Sequence, residues 1–341
     1  MPNLSKIEND QPSSVLNRRL MIEGIGLGTA YGLFLRACLG NHMFSNWINA
    51  HDEYHLSGIM TVGFLFAGPF AMGFLTVARA ERRTQLSVWK LIFAPWLTVF
   101  VMMLAAALFA WEGAICIAMA TPIALLLASF GGAAAGAYRR IRKISRATVT
   151  CVALLPFLAA ITETRLAAPD QIRTVSSQIR IHASPQIVWE NIERVPAIAP
   201  SELSLNWTHR LGFPRPIEAT LSYEGVGGVR HASFEHGLLF IETINVWEPM
   251  HRLAFSIKAD AAHIPPSTLD EHVTIGGPYF DVLNGEYQLE PQLNGDVVLY
   301  LTSRQRLSTS FNSYAGLWTE AVMQNIQTSI LQVIRHRCEQ T

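Results

Sequence analysis

Three potential metal ligands stand at helical spacing in the run NAHDEYHLSG, Asn49 to Gly58, where His51 and His55 flank Asp52. Two histidines four residues apart share one face of a helix, the arrangement by which zinc proteases grip their metal, with a Glu after the first His as base. Here that following residue is Asp52, a shorter arm, and Glu112 is the one conceivable further ligand from a neighbouring loop. A catalytic zinc normally takes three protein ligands plus water. The same residues, with Trp47 and Tyr54 beside them, also suit a polar and aromatic rim at a membrane surface. The sequence favours that rim and no metal, and no other cofactor is implied.

The choice depends on the elements that would hold this stretch. Half of the 341 residues are apolar and only 15% are charged, a balance typical of membrane proteins. Four segments have the roughly 20 apolar residues that a spanning helix needs: Met21 to Leu39, Gly58 to Val77, Leu91 to Ala110 and Ala114 to Ala137. A fifth, Ala147 to Ile161, is shorter and contains Pro156. Small residues in FGGAAAGAY (Phe130 to Tyr138) and GLGTAYG (Gly26 to Gly32) would let helix backbones approach closely. The first apolar segment follows some twenty polar residues and has no clean small-residue cleavage site, so it is expected to be retained.

Basic residues cluster on one side of this set. Arg18 and Arg19 precede the first helix, Arg79, Arg82, Arg83 and Lys90 lie between the second and third, and Arg139, Arg140, Arg142, Lys143 and Arg146 between the fourth and fifth. The alternate loops contain no Lys or Arg. By the positive-inside rule, residues 1–20 form a cytoplasmic tail and residues 21–166 a domain of about five transmembrane helices. If the fifth spans, everything beyond lies outside the cytoplasm, in the periplasm of a bacterium whose inner membrane holds the chain.

The period changes after Asp170. IRTVSSQIRI alternates like a strand, and ASPQIVWENIERV (Ala183 to Val195) reads as a helix with Ser184 as N-cap and Pro185 at its first position. Six further strands are expected at Ile217 to Tyr223, Gly228 to Glu235, Leu238 to Trp247, Arg252 to Lys258, Pro278 to Glu290 and Val297 to Arg306. A last helix from Phe311 to Arg337 carries an apolar stripe of Tyr314, Trp318, Val322, Ile326, Ile330 and Val333. This half is mildly acidic and has no basic stripe, which argues against a nucleic-acid partner. The four cysteines form neither a disulfide framework nor a CxxC pair.

The order strand, short helices, six strands and long amphipathic helix resembles the SRPBCC superfamily, which includes the START-like, Bet v 1-like and polyketide cyclase/dehydrase and lipid-transport domains. The resemblance is carried by IRIHASPQIVWENI (Ile179 to Ile192), GVRHASFEHG with IETINVWEPMHRLAFSI (Gly228 to Ile257), GEYQLE (Gly285 to Glu290) and the final helix. It implies a helix-grip domain over residues 171–339, a curved antiparallel sheet around a long C-terminal helix. The whole chain is then an all-α transmembrane domain followed by an α+β domain. Such a sheet and helix leave an elongated apolar cavity, in which the resemblance implies a hydrophobic small molecule or lipid. Fold alone names no chemistry.

Polar groups in that cavity would be the informative ones. With a three-residue turn centred on His236, Phe234 faces Leu238, Ala232 faces Phe240 and Arg230 faces Glu242; with a two-residue turn His231 opposes Glu242 instead. Arg230 and Glu242 could orient a polar head group, or simply form a structural salt bridge at the sheet edge. The resemblance also puts a mouth loop around DEHVTIGGPYFD, making His272, Tyr279 and Asp281 candidate ligand contacts with Gly276 as hinge. Trp189, Trp207, Trp247 and Trp318 could line the cavity, Trp318 on the helix stripe being the best placed. The candidate ligand-binding set is therefore Arg230, Phe234, Phe240, Glu242, His272, Tyr279 and Trp318. No Ser/His/Asp or Cys/His constellation is evident, which weighs against an enzyme. The expected function is a membrane-tethered carrier or sensor of a lipid-like ligand, ahead of a cyclase or hydrolase and of an assembly protein with a closed cavity.

Overall fold

The computed structural model describes residues 13–40, 60–81, 85–109, 111–163, 166, 168–203, 206–260 and 275–340. The chain divides into two compact units, Met1–Trp111 with Ile117–Ala167, and Glu112–Cys116 with Ala168–Thr341.

The first unit is helical: α1 (Ser13–Gly40), α2 (Gly63–Ala80), α3 (Val88–Leu108), α4 (Ala114–Ile141) and α5 (Arg146–Glu163). Four of these, α2 to α5, are long and apolar enough to cross a membrane. α1 is not among them, because Arg19, Glu23 and Arg36 and several glycines dilute its apolar content. The fifth segment, short on paper, is an unbroken 18-residue helix despite Pro156. The first turn of α2, Gly63–Ala67, is a π-turn in which the Gly68 N–H reaches the Gly63 carbonyl. Helices meet where glycine removes the side chain. A Cβ on Gly73 would lie 2.0 Å from the Ala128 carbonyl oxygen, and one on Gly131 would lie 2.0 Å from that of Phe70, so α2 and α4 touch through backbone.

Polar groups inside this unit are tied to backbone, as burial requires. The Thr76 and Thr98 hydroxyls share a 2.9 Å hydrogen bond, and Arg36 donates to the Trp111 carbonyl at 2.9 Å. One oxygen of Glu163 accepts from the Val62 N–H at 2.7 Å.

The second unit is built on seven strands: β1 (Gln171–Ile181), β2 (Pro216–Leu221), β3 (Val229–Phe234), β4 (Leu239–Glu248), β5 (Arg252–Asp260), β6 (Phe280–Pro291) and β7 (Val297–Leu307). They form one antiparallel sheet in the order β1-β7-β6-β5-β4-β3-β2. Register shifts at Pro216/Glu218, Ile244/Val246 and Val282/Asn284 bend the strands, as bulges do. Two short helices, α6 (Pro185–Glu193) and α7 (Trp207–Arg210), follow β1, and α8 (Asn312–Gln340) ends the described chain. Ser184 caps α6 through the Ile187 N–H, with Pro185 in the first turn, as its sequence dictates.

The α8 backbone runs close along β1 and, less extensively, β7. Its most buried line is not the one expected from periodicity. Gly316, Val322, Gln327, Leu331, Ile334 and Cys338 are buried, whereas Trp318, Ile326 and Ile330 are only half-buried. The difference is made by Gly316, over which the Arg173 guanidinium lies, and by Gln327, both invisible to an apolar count.

Two apolar clusters fill the interior. One gathers Ile181, Val188, Trp189, Ile192, Ile244, Leu253, Leu299, Leu331 and Ile334; the other gathers Val195, Ala219, Ala232, Phe234, Leu238, Ile275 and Val282, with Phe240 and Met323 against it. Each large aliphatic side chain removed from water contributes roughly 1.5–3 kcal/mol.

Candidate functional site

Side chains alternate across a strand, so register alone decides which residues share the face toward α8. Arg230 pairs with Glu242, and Glu242 with Ile257. Farther along the sheet Val282 pairs with Gln305, and Gln305 with Arg173. One rung of the inner face thus carries Arg230, Glu242 and Ile257 on β3 to β5 and, past the bulge in β6, Val282 and Gln305 on β6 and β7, with Ile257 packed against the cluster that holds Val282. The rung beside it holds Phe255, Gly285, Ser303 and Val175. Along β4 the inward residues are Phe240, Glu242 and Ile244, so Glu242 marks the boundary between the two apolar clusters.

The geometry at Arg230 is that of a buried ion pair. Its Nη1 lies 2.7 Å from Glu242 Oε2, and both residues are about 95% buried, at 4% and 5% exposure. The guanidinium carbon stands 5.5 Å from the centre of the Phe255 ring and 5.9 Å from that of Tyr287, within cation–π range. Gly285 makes this stack possible, because a Cβ there would come within 2.6 Å of the Phe255 ring. Burial pushes the Glu242 carboxyl upward against the pull of Arg230, and burial likewise raises the Tyr287 phenol. Arg230 Nε is buried with no partner.

Polar groups continue at the other end of the rung. Gln305, 1% exposed, donates from Nε2 to Thr319 Oγ1 of α8 at 3.2 Å, and its Oε1 is buried and unpartnered. Gln327 bonds Ser303 and the Val175 carbonyl, the latter at 3.1 Å, and accepts from Ser177 Oγ at 2.8 Å. These five side chains stitch α8 to β1 and β7.

The three-residue turn at His236 sets the register in which Arg230 opposes Glu242 and Ala232 opposes Phe240. Phe234 and Phe240 meet edge to face, with centroids 5.1 Å apart. Arg230, Phe234, Phe240 and Glu242 therefore share one face. Tyr279 is buried just ahead of β6, and its carbonyl accepts from the Ser308 N–H at 2.9 Å. Trp318 belongs to neither apolar cluster. Trp189 and Trp247 are in edge-to-face contact in the first cluster, and Trp207 is at the surface. His272, and the trio His51, Asp52 and His55, lie outside the described residues.

Among the described residues no group of three or more His, Cys, Asp or Glu is arranged to hold a metal. Burial pushes the Cys338 thiol up to about 11, which leaves it protonated and a poor nucleophile at neutral pH. Tyr287, Gln305, Gln327 and Gly285 were not singled out by sequence reasoning. The available signal was register: once Arg230 is set against Glu242, counting by twos along β5 to β7 brings Gln305 and Gly285 to the same face.

No family model matches the chain, and no curated protein matches it. Solved structures that resemble it cover its C-terminal half. A START superfamily protein from Mycobacterium smegmatis is 10% identical over 49% of this chain and 97% of its own, with a TM-score of 0.32. Truncated norcoclaurine synthase from Thalictrum flavum is 10% identical over 50% of this chain and 95% of its own, with a TM-score of 0.32. A protein from Mesorhizobium loti is 16% identical over 50% and 98%, with a TM-score of 0.29.

Proposed function

We propose that the inner face of the C-terminal sheet holds a hydrophobic or lipid-like molecule and that the chain does this as a multi-pass protein of a bacterial inner membrane. The observation that carries the reading is the Arg230–Glu242 pair, nearly fully buried at the boundary of two apolar clusters, with a guanidinium N–H that no protein group satisfies. Burying two charges costs several kcal/mol per ion before their attraction is counted. A greasy ligand with one polar group would use the unsatisfied donor. Arg230 and Glu242 then orient that group, and Phe234 and Phe240 pack its apolar part.

Membrane attachment is supported by the four apolar helices and by the outward side of α3, where Trp89, Phe93, Leu97, Phe100, Leu104 and Leu108 are all exposed. In water such a stripe would be an aggregation hazard. The arginines at the helix ends favour a cytoplasmic N-terminus, and if α1 crosses together with the four helices α2 to α5, the odd number of crossings carries the C-terminal domain to the opposite side. A second reading, an assembly protein with a filled interior, draws on the Phe234–Phe240 contact and the packing of Met323 against that cluster.

Native mass spectrometry of the full-length protein released from detergent tests the choice. The expected result is a discrete hydrophobic adduct that is lost in the Arg230→Met/Glu242→Met double variant. Both charges are removed together because stranding one costs about 3–5 kcal/mol. A protein that carries no adduct in either form favours the assembly reading. A stoichiometric metal lost on His51→Ala would move the chemistry to the other half of the chain.

A further inference from the structure

Among the described strand residues, two polar side chains are at least nine-tenths buried and each leaves one hydrogen-bonding atom unused: Arg230 Nε, a donor, and Gln305 Oε1, an acceptor. Native proteins satisfy the great majority of such atoms, and leaving one bare costs about 1–3 kcal/mol. The two belong to β3 and β7, four strand positions apart in the sheet, so their backbones are separated by at most about 19 Å along it. Between them the rung is apolar, Ile257 and Val282. The Gln305 amide is oriented by Thr319, which accepts from Nε2 while its own hydroxyl hydrogen goes to the Gly316 carbonyl at 3.2 Å, so a turned amide would set Oε1 against a hydroxyl with no hydrogen to give. Its orientation leaves Oε1 as the unpaired acceptor, beside an Nε2 that spends one of its two N–H groups on Thr319.

We infer that Gln305 is a second polar subsite, which takes a hydrogen-bond donor, so that the ligand is a neutral molecule with a polar group at each end of an apolar body. This rests on the proposed binding reading and narrows it. The group at Arg230 must accept a hydrogen bond, and Glu242 beside it disfavours an anion; the group at Gln305 must donate one. A hydroxyl meets both requirements, a carbonyl only the first. Long diols and hydroxy-ketones are therefore the class that fits, while free fatty acids and plain hydrocarbons are not.

The test uses the full-length protein in lipid nanodiscs with a matched pair of radiolabelled probes, dodecanol and the corresponding terminal diol, empty nanodiscs being subtracted. A second hydroxyl makes the diol more soluble in water, so the informative quantity is the ratio of the two dissociation constants, compared between the wild type and Gln305→Met. Methionine keeps the volume and removes the acceptor. The expected result is that the variant shifts the ratio against the diol by roughly tenfold, the worth of one buried hydrogen bond, while dodecanol binding hardly changes. Thr319→Val, which frees the amide with a side chain of the same shape, should shift the ratio in the same direction by less. If both probes bind and the ratio is the same in wild type and variant, the Gln305 subsite is wrong and the binding reading stands. If neither probe binds the wild-type protein above the empty discs, the subsite and the binding reading that it rests on both fall.

Discussion

Arg337 and Glu202 show how a single side chain fixes a segment without regular structure. Two parallel hydrogen bonds of 2.6 and 3.0 Å join them, and the same guanidinium holds the Pro196 and Ala197 carbonyls, each at 3.0 Å. Both side chains are largely shielded from solvent, at 17% and 16% exposure. The hydrogen bonds from Arg337 hold the Glu202 carboxyl at about 2, below its ordinary 4.5. A carboxylate whose pKa is lower in the folded state stabilises that state above its unfolded pKa, and the benefit disappears as pH falls through the folded one. Urea unfolding of the strand-rich domain, followed by circular dichroism, should therefore show Glu202→Gln destabilised by up to about 3 kcal/mol at neutral pH. The gap should close between about pH 4.5 and pH 2. A constant gap down to pH 2 would mean that packing, not charge, holds this segment. The Arg230–Glu242 pair, almost fully buried between β3 and β4, is in the opposite regime, where burial dominates and charge has value only if something uses it.

At the scale of the element, the β3–β4 hairpin shows what a sequence carries. The stretch EHG between alternating runs allows a three-residue or a two-residue turn, and the structure makes the three-residue one with His236 at φ +60°, a left-handed conformation that costs an ordinary residue about 1 kcal/mol. His236→Gly should therefore leave stability unchanged or slightly raised, whereas the β-branched His236→Val should cost about 1–2 kcal/mol, measured as a change in urea midpoint at constant slope. Equal effects of the two substitutions would show that the histidine ring, not the backbone, matters there. Strand positions were legible for the same local reason: alternation and turn residues are written in consecutive positions, and β3 to β7 fall within a few residues of the expected bounds. The buried line of α8 was only partly legible. A periodicity count rewards apolar residues, but Gln327 is buried because Ser177, Ser303 and the Val175 carbonyl surround it, partners about 24 to 152 positions away in the chain. Gln305 escaped notice for the same reason.

For the molecule as a whole, the expected topology turns on α5. A continuous 18-residue helix is just long enough to span roughly 27 Å, close to the thickness of a bilayer core. Paired reporters at the C-terminus, one active only in the cytoplasm and one only outside it, should light up the external one. Activity of the cytoplasmic reporter alone would demand an even number of crossings. The apolar helices meet through glycines such as Gly73 and Gly131, whose contacts leave no room for a methyl group. The C-terminal unit instead relies on mixed packing, two apolar clusters joined by a polar rung. The two halves thus follow different rules of assembly, and a composition averaged over both would describe neither.

The strand order has a consequence for the timing of synthesis. β1, the first strand to leave the ribosome, has its sheet partner in β7, and its register joins Gln171 to Leu307. Well over a hundred residues must be translated before β1 finds that partner, and α8, which covers it, comes later still. In the interval β1 is an unpaired strand with a free edge, the kind of species on which chaperones act. A ribosome stalled anywhere short of β7 therefore leaves not a smaller version of the domain but an incomplete sheet with its first strand waiting.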